Sequence, residues 1–179
     1  MGKVFVDMAM SLDGFVSGPN GEDGGLHDWY FTPAGPAVAV IDELLDTIGA
    51  MILGKRAFGD QPDGFDTPYK VPHFVLTHMP RQPVENGGVP FIFVHDGLES
   101  ALAQAQAAAG EKAICVAGDA VTAQQFLNAG LIDEVQIHLV AILLGNGLRL
   151  FDRVAPTTLA QTRVLASPGV THLQFRVVK

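Results

Sequence analysis

The sequence predicts an α/β fold: a mostly parallel central sheet flanked by helices, with an antiparallel hairpin at its C-terminal end. Three observations predict it. Short apolar runs alternate with helical stripes between dense punctuation, 20 Gly and 11 Pro in 179 residues. Strand-helix-strand order recurs through the body, as parallel pairing requires. The tail then switches to a two-residue alternation around Ser167-Pro168-Gly169. No linker composition or internal repeat divides the chain, so residues 1–179 are read as one domain.

Val4 to Met10 reads as the first strand, followed by a long turn-rich loop from Ser11 to Tyr30 with no periodicity. Loops of that length in a compact domain are often functional. Thr32-Pro33 has the form of a helix start, with Val38, Ile41, Leu44, Leu45 and Ile48 on one face, Asp42, Glu43 and Asp46 facing away, and Gly49 as the stop. Ala50 to Leu53 is a short buried strand, and a second loop, Gly59 to Tyr69, leads to strands at His73 to Leu76 and Phe91 to Val94. Asp96-Gly97-Leu98-Glu99 resembles a capping box ahead of a stripe of Leu98, Ala101, Leu102, Ala105, Ala108 and Ala109, closed by Gly110. Ala113 to Ala117 reads as a central strand and Ala120 to Asn128 as a short helix. Val135, Ile137 and Leu139 alternate with Gln136 and His138 in a half-buried strand, and Leu159 to Leu165 pairs with Leu173 to Val177.

Composition excludes several functions. Hydrophobic residues make up 48% and charged ones 17%, a globular balance. Nineteen acidic residues against eleven basic ones leave a net charge of -8, which disfavours broad attraction to nucleic acid or anionic membrane. With no long apolar segment and Cys115 as the one cysteine, a soluble cytoplasmic protein is expected. The six histidines form no ligand pair at helical spacing, so no metal site is expected. G-x-S-x-G and P-loop motifs are lacking, and Cys115 in its apolar run reads as an inert buried thiol.

In a parallel sheet, ligands gather beyond the carboxyl ends of the strands. Three segments fall there. Gly54-Lys55-Arg56 sets two cations behind a glycine, suited to phosphate or simply to a solvated basic turn. Gly118-Asp119-Ala120-Val121 opens a helix through small residues, which suits a diphosphate or tight strand-helix packing. Thr77-His78 offers a hydroxyl and an imidazole, or a capped turn before Pro80.

Taken in order, Met10-Ser11-Leu12-Asp13-Gly14-Phe15-Val16, Ile52-Leu53-Gly54-Lys55-Arg56, Val75-Leu76-Thr77-His78, Gly130-Leu131-Ile132-Asp133-Glu134 and Leu143 to Phe151 resemble the dihydrofolate-reductase-like superfamily. The resemblance is greatest to the branch that includes the C-terminal pyrimidine reductase domain of riboflavin biosynthesis. It implies a homodimer and NADPH along the carboxyl edge of the sheet. It also implies roles for residues: Gly54, Lys55 and Arg56 on phosphate, Thr77 and His78 at the adenosine 2′-phosphate, Gly118, Asp119, Ala120 and Val121 on the diphosphate. Ala9 and Val16 would border the nicotinamide, with Asp13 shaping the loop over it.

Three positions depart from the superfamily. Ala37-Val38-Ala39-Val40 has no carboxylate where folate reductases hold the pterin, Ala117-Gly118 replaces paired glycines, and Ala141 replaces a proline. The resulting expectation is NADPH-dependent hydride transfer to a small pterin- or pyrimidine-like heterocycle, resembling 5-amino-6-(5-phosphoribosylamino)uracil reductase, with Trp29 and Tyr30 against the substrate ring and a proton from Asp13, His27, Asp28 or water. The alternative is a non-catalytic nucleotide-binding module of the same fold.

Overall fold

The first strand, β1 (Val4–Ser11), sends Val4, Val6 and Met8 into one core cluster and Phe5 into another, so it is covered on both faces. The structure, a computed structural model, describes residues 2–179. After β1 come β2 (Phe15–Ser17), α1 (Asp28–Phe31), α2 (Ala37–Thr47), β3 (Ile48–Gly54), α3 (Lys55–Phe58), β4 (His73–Leu76), β5 (Val84–Asn86) and β6 (Val89–Val94). Then come α4 (Leu98–Ala109), β7 (Ala113–Ala117), α5 (Ala120–Asn128), β8 (Glu134–Val140), β9 (Leu148–Arg149), β10 (Leu159–Ser167) and β11 (Val170–Val177).

The main sheet runs β10-β11-β8-β1-β7-β3-β4-β6-β5, and β2 pairs with β9 in a separate ribbon. Every pairing from β8 across to β6 is parallel. The expected hairpin, β10 with β11, forms one antiparallel edge, and β5 turning into β6 through Gly87-Gly88, both at positive φ, forms the other. On one face lie α4, through Ala101, Leu102, Ala105 and Ala109, and α5, through Ala120, Ala123 and Phe126. On the other lie Val40 and Leu44 of α2 and Phe58 of α3.

The helix expected from Thr32-Pro33 begins instead at Ala37. Thr32 closes α1, its N–H donating to Asp28 O, and Gly35 at φ +58 separates the two helices. The buried face is therefore Ala37, Val40 and Leu44, with Ile41 half-buried, whereas Val38 and Leu45 are exposed. Ile48 and Gly49 belong to β3. A Cβ on Gly49 would lie 2.6 Å from Lys112 Cβ and 3.0 Å from Ala109, so glycine there permits close helix-strand approach rather than ending a helix. The capping box at Asp96 does not form: Gly97 is the N-cap, at φ +110, with no side-chain bond, and Ala108 is exposed.

The largest departure is β8. Gln136 and His138, expected on an open face, are both buried under the α1-α2 layer and hydrogen-bonded to Gln174, Asp7 and His172. Ala141 comes directly after the strand and donates its N–H to Gly169 O at 3.0 Å, a bond that proline could not make.

Phe126 is fully buried between α5 and the sheet. Phe126→Ala is expected to lower stability by about 3–5 kcal/mol, read as a lower urea midpoint at unchanged slope.

Candidate active site

Parallel pairing brings the carboxyl ends of β1, β3, β4 and β7 to one edge, so the segments beyond them converge although they are far apart in sequence. Two clefts open there. The first, about 640 Å³, is bounded by Gly54, Lys55 and Arg56 after β3, Thr77 and His78 after β4, His95 after β6, and Asp119 and Val121 at the start of α5. The second, about 310 Å³, is lined by Asp7 and Ala9 of β1, Val16 of β2, Trp29 and Tyr30 of α1, Tyr69, His138, Ala117 at the end of β7 and Gly118 just after it. They adjoin at the turn from β7 into α5, where Gly118 faces one and Asp119 the other. Of the residues singled out in the sequence, Ala120 lines neither, being fully buried in the core.

The polar groups of the first cleft divide into engaged and available. Lys55 Nζ folds back onto Gly59 O and lies 3.3 Å from Asp60, whereas the exposed Arg56 enters no ion pair among the described residues. Thr77 Oγ1 accepts from Met79 N–H at 3.3 Å, so the local turn does form there and its hydroxyl hydrogen stays available. Asp119 caps α5, accepting from Val121 N–H at 3.1 Å and from Thr122 Oγ1 at 3.3 Å. The Val121 amide is thereby engaged within the protein. Gly54 makes room for this cap, since a Cβ there would collide with the Asp119 carboxylate.

Asp13 lines neither cleft and works as a clamp. Its carboxylate accepts from Ser11 Oγ at 2.5 Å, Leu144 N–H at 3.1 Å and Gly145 N–H at 2.7 Å, and its carbonyl accepts from Arg149. The turn after β1 is thus stitched to the loop before β9. The Ser11 hydroxyl, then the two amides, hold the Asp13 carboxyl below its ordinary value of 3.8. His27 pairs with Asp23 within the loop, and His27, unlike Asp28, reaches the second cleft.

Sequence patterns do not single out Asp7, a lone carboxylate in the apolar run VFV-D-MAM. It lies 2.9 Å from His138 Nε2, with its side chain 15% exposed on the cleft. Trp29 packs on His138 with ring centroids 4.4 Å apart. Trp29 Nε1 and Tyr30 Oη are buried donors without protein partners. Burial pushes the Tyr30 phenol up; Tyr69 influences it from outside hydrogen-bond geometry. Cys115, also on this cleft, is held protonated far above the usual thiol range by burial.

A family model described as the RibD C-terminal domain matches residues 2–173. The chain belongs to this family. It is 26% identical over 185 residues to the uncharacterized protein YyaP of Bacillus subtilis (strain 168), across 97% of this chain and 94% of that one. A putative riboflavin biosynthesis protein from Shewanella sp. PV-4 superposes with a TM-score of 0.75 at 23% identity, covering 99% of both chains. Dihydrofolate reductase from Enterococcus faecalis, complexed with NADP(H), superposes at 0.60 and 16% identity over 99% of this chain and 97% of that one. The fold is dihydrofolate-reductase-like.

Because the carboxyl of Asp13 is depressed in the folded state, its contribution is complete above the unfolded value near 3.8 and is lost as pH falls through the lower folded value. Asp13→Ala should speed amide exchange at Leu144 and Gly145 at pH 7, leaving exchange within β1 and β7 unchanged. The difference from wild type should vanish once acid has protonated Asp13.

Proposed function

We propose that this protein is an NADPH-dependent reductase acting on a small, flat nitrogen heterocycle related to the substrate of 5-amino-6-(5-phosphoribosylamino)uracil reductase. The observation that carries the reading is the pair of adjoining clefts along the carboxyl edge of the sheet, polar and cationic in one, aromatic in the other. The donor set fits the cofactor. Arg56, Thr77 and His78 offer a guanidinium fork, a hydroxyl and an imidazole to phosphate, while Ala9, Val16 and Gly118 give a nicotinamide a smooth border. The unpartnered donors of Trp29 and Tyr30 suit a ring bearing acceptors.

Bound NADPH would supply the hydride. The chain's own residues would hold the phosphates at Arg56, keep the Ser11–Phe15 turn closed through Asp13, and exclude water with Trp29 and Tyr30. Arg56, rather than the engaged Lys55, is the principal phosphate ligand in this reading, and Asp13 orients the loop. The family match across residues 2–173 supports one domain. No described helix is long and apolar enough to cross a membrane. A homodimer would use a face that borders neither cleft, such as the exposed edge strand β10.

A second reading, a nucleotide-binding module without turnover, is favoured by one observation: the first turn of α2 carries no acidic residue.

Titration with NADPH and NADH, followed by nicotinamide fluorescence and melting temperature, tests the proposal. NADPH is expected to bind more tightly, and Arg56→Ala to weaken NADPH about tenfold or more while sparing NADH. Equal losses would move Arg56 off the 2′-phosphate, and binding without oxidation against pyrimidine or pterin acceptors would favour the second reading.

A further inference from the structure

Behind the aromatic cleft, a line of polar side chains crosses four neighbouring strands. Asp7 of β1 meets His138 Nε2 of β8 at 2.9 Å; His138 Nδ1 meets His172 Nδ1 of β11 at 2.7 Å; His172 Nε2 meets Ser167 Oγ, at the end of β10, at 3.2 Å. His138 and His172 sit opposite each other in the β8-β11 register, while Asp7 lies diagonally from His138 across β1-β8. Both imidazoles are buried, 1% and 4% exposed, yet the line has two accessible ends: Asp7 on the cleft and the half-buried Ser167 beside the hairpin turn.

Each of these bonds holds one hydrogen, and that fixes a direction. With Asp7 ionised, His138 Nε2 donates to it, so in a neutral ring Nδ1 must accept. His172 Nδ1 then donates, its Nε2 accepts, and the Ser167 hydroxyl donates. Three groups thus point their hydrogens toward the cleft. Shifting every hydrogen one place protonates Asp7 and reverses both imidazoles, with no unpaired charge left between.

We propose, resting on the reductase reading above, that Asp7 gives the substrate its proton and that His138, His172 and Ser167 supply that proton to Asp7 from the surface. Reduction of a ring C=N bond adds hydride at carbon and a proton at nitrogen. The Asp7 O–H bond breaks as the N–H bond forms. The hydrogen on Asp7 comes from the shift that precedes this transfer: His138 Nε2 gives its hydrogen to the ionised Asp7, His138 Nδ1 takes one from His172, His172 Nε2 takes one from Ser167, and Ser167 takes one from water, which leaves as hydroxide. Asp7 is the catalytic residue; the histidines act through it.

The surroundings suit a relay. Tyr30, Tyr69 and Cys115 face Asp7 from α1, the loop before β4 and β7, and burial holds all three protonated. Arg163 of β10 bears on His172 and is itself tied to Glu43 of α2 at 2.6 Å. Burial, then the charge of His138, pushes His172 down to about 4, so it rests neutral.

The test is a pH titration of the full chain labelled with 15N-histidine, together with Asp7→Asn, which keeps an acceptor but loses the charge, and Ser167→Ala. In wild type, His172 should carry Nδ1–H at neutral pH and switch toward Nε2–H as the pair takes up one shared proton in acid. Emission of Trp29, the chain's one tryptophan, should track the same transition. Asp7→Asn should move the uptake, including the His172 signal, to lower pH by roughly one to three units. Ser167→Ala should leave the tautomers intact and slow the exchange of the His172 ring hydrogen. Histidines that titrate independently, or a His172 indifferent to Asp7→Asn, would overturn the relay. The titration needs neither cofactor nor acceptor, so a failure of NADPH to bind would count against the reductase reading alone.

Discussion

Parallel pairing of β8, β1, β7, β3, β4 and β6 is the constraint on which everything else in this molecule depends. Because those strands all run the same way, each ends at the same edge, and the segments beyond them must gather there. Gly54-Lys55-Arg56, Thr77-His78, His95 and the cap of α5 come from four separate stretches, yet border one cleft. The same register puts β1 between β7 and β8, buried on both faces, which is why a carboxylate on it needs a partner. His138 is that partner.

Rigid and adjustable parts divide the work. The sheet edge supplies fixed positions, while the turn after β1 is held by side chains: Asp13 bridges Ser11 to the amides of Leu144 and Gly145, and Arg149 lies over the Phe15 ring with 4.4 Å to its centroid. A loop held by a few part-buried and exposed hydrogen bonds opens more readily than one packed into a core. The electrostatics are similarly local. In a chain of net charge -8, Arg56 stands without an ion-pair partner among the described residues in the larger cleft, and the Asp119 carboxylate nearby is spent on capping α5.

Elements with a complete local signal are legible in the sequence. The strands at Val4, Ala113 and Leu159, the helices at Leu98 and Ala120, and the C-terminal hairpin all announce themselves by apolar runs, stripes and turn residues. The start of α2 does not, because its buried face opens on Ala37, too small to register as a hydrophobic marker, and the more conspicuous Thr32-Pro33 lies just upstream. The polar side of β8 reads as open because the layer that covers it, α1 with Trp29, is a single turn without periodicity. The cleft residues are legible through their position after strands and through resemblance. Asp7 is not, since its partner is 131 residues away and nothing adjacent to it in sequence points to chemistry. A lone carboxylate inside an apolar strand is the available signal.

Central to the proposed function is that the two adjoining clefts form one groove for a dinucleotide and its substrate. A crystal structure of the protein with NADPH tests this most directly. The 2′-phosphate is expected within hydrogen-bond reach of Arg56, the chain of the cofactor passing the Gly118 turn, and the nicotinamide between Ala9 and Val16 with Asp7 facing the space beside it. A cofactor lying outside this edge, or reversed with its adenosine in the aromatic cleft, would contradict it.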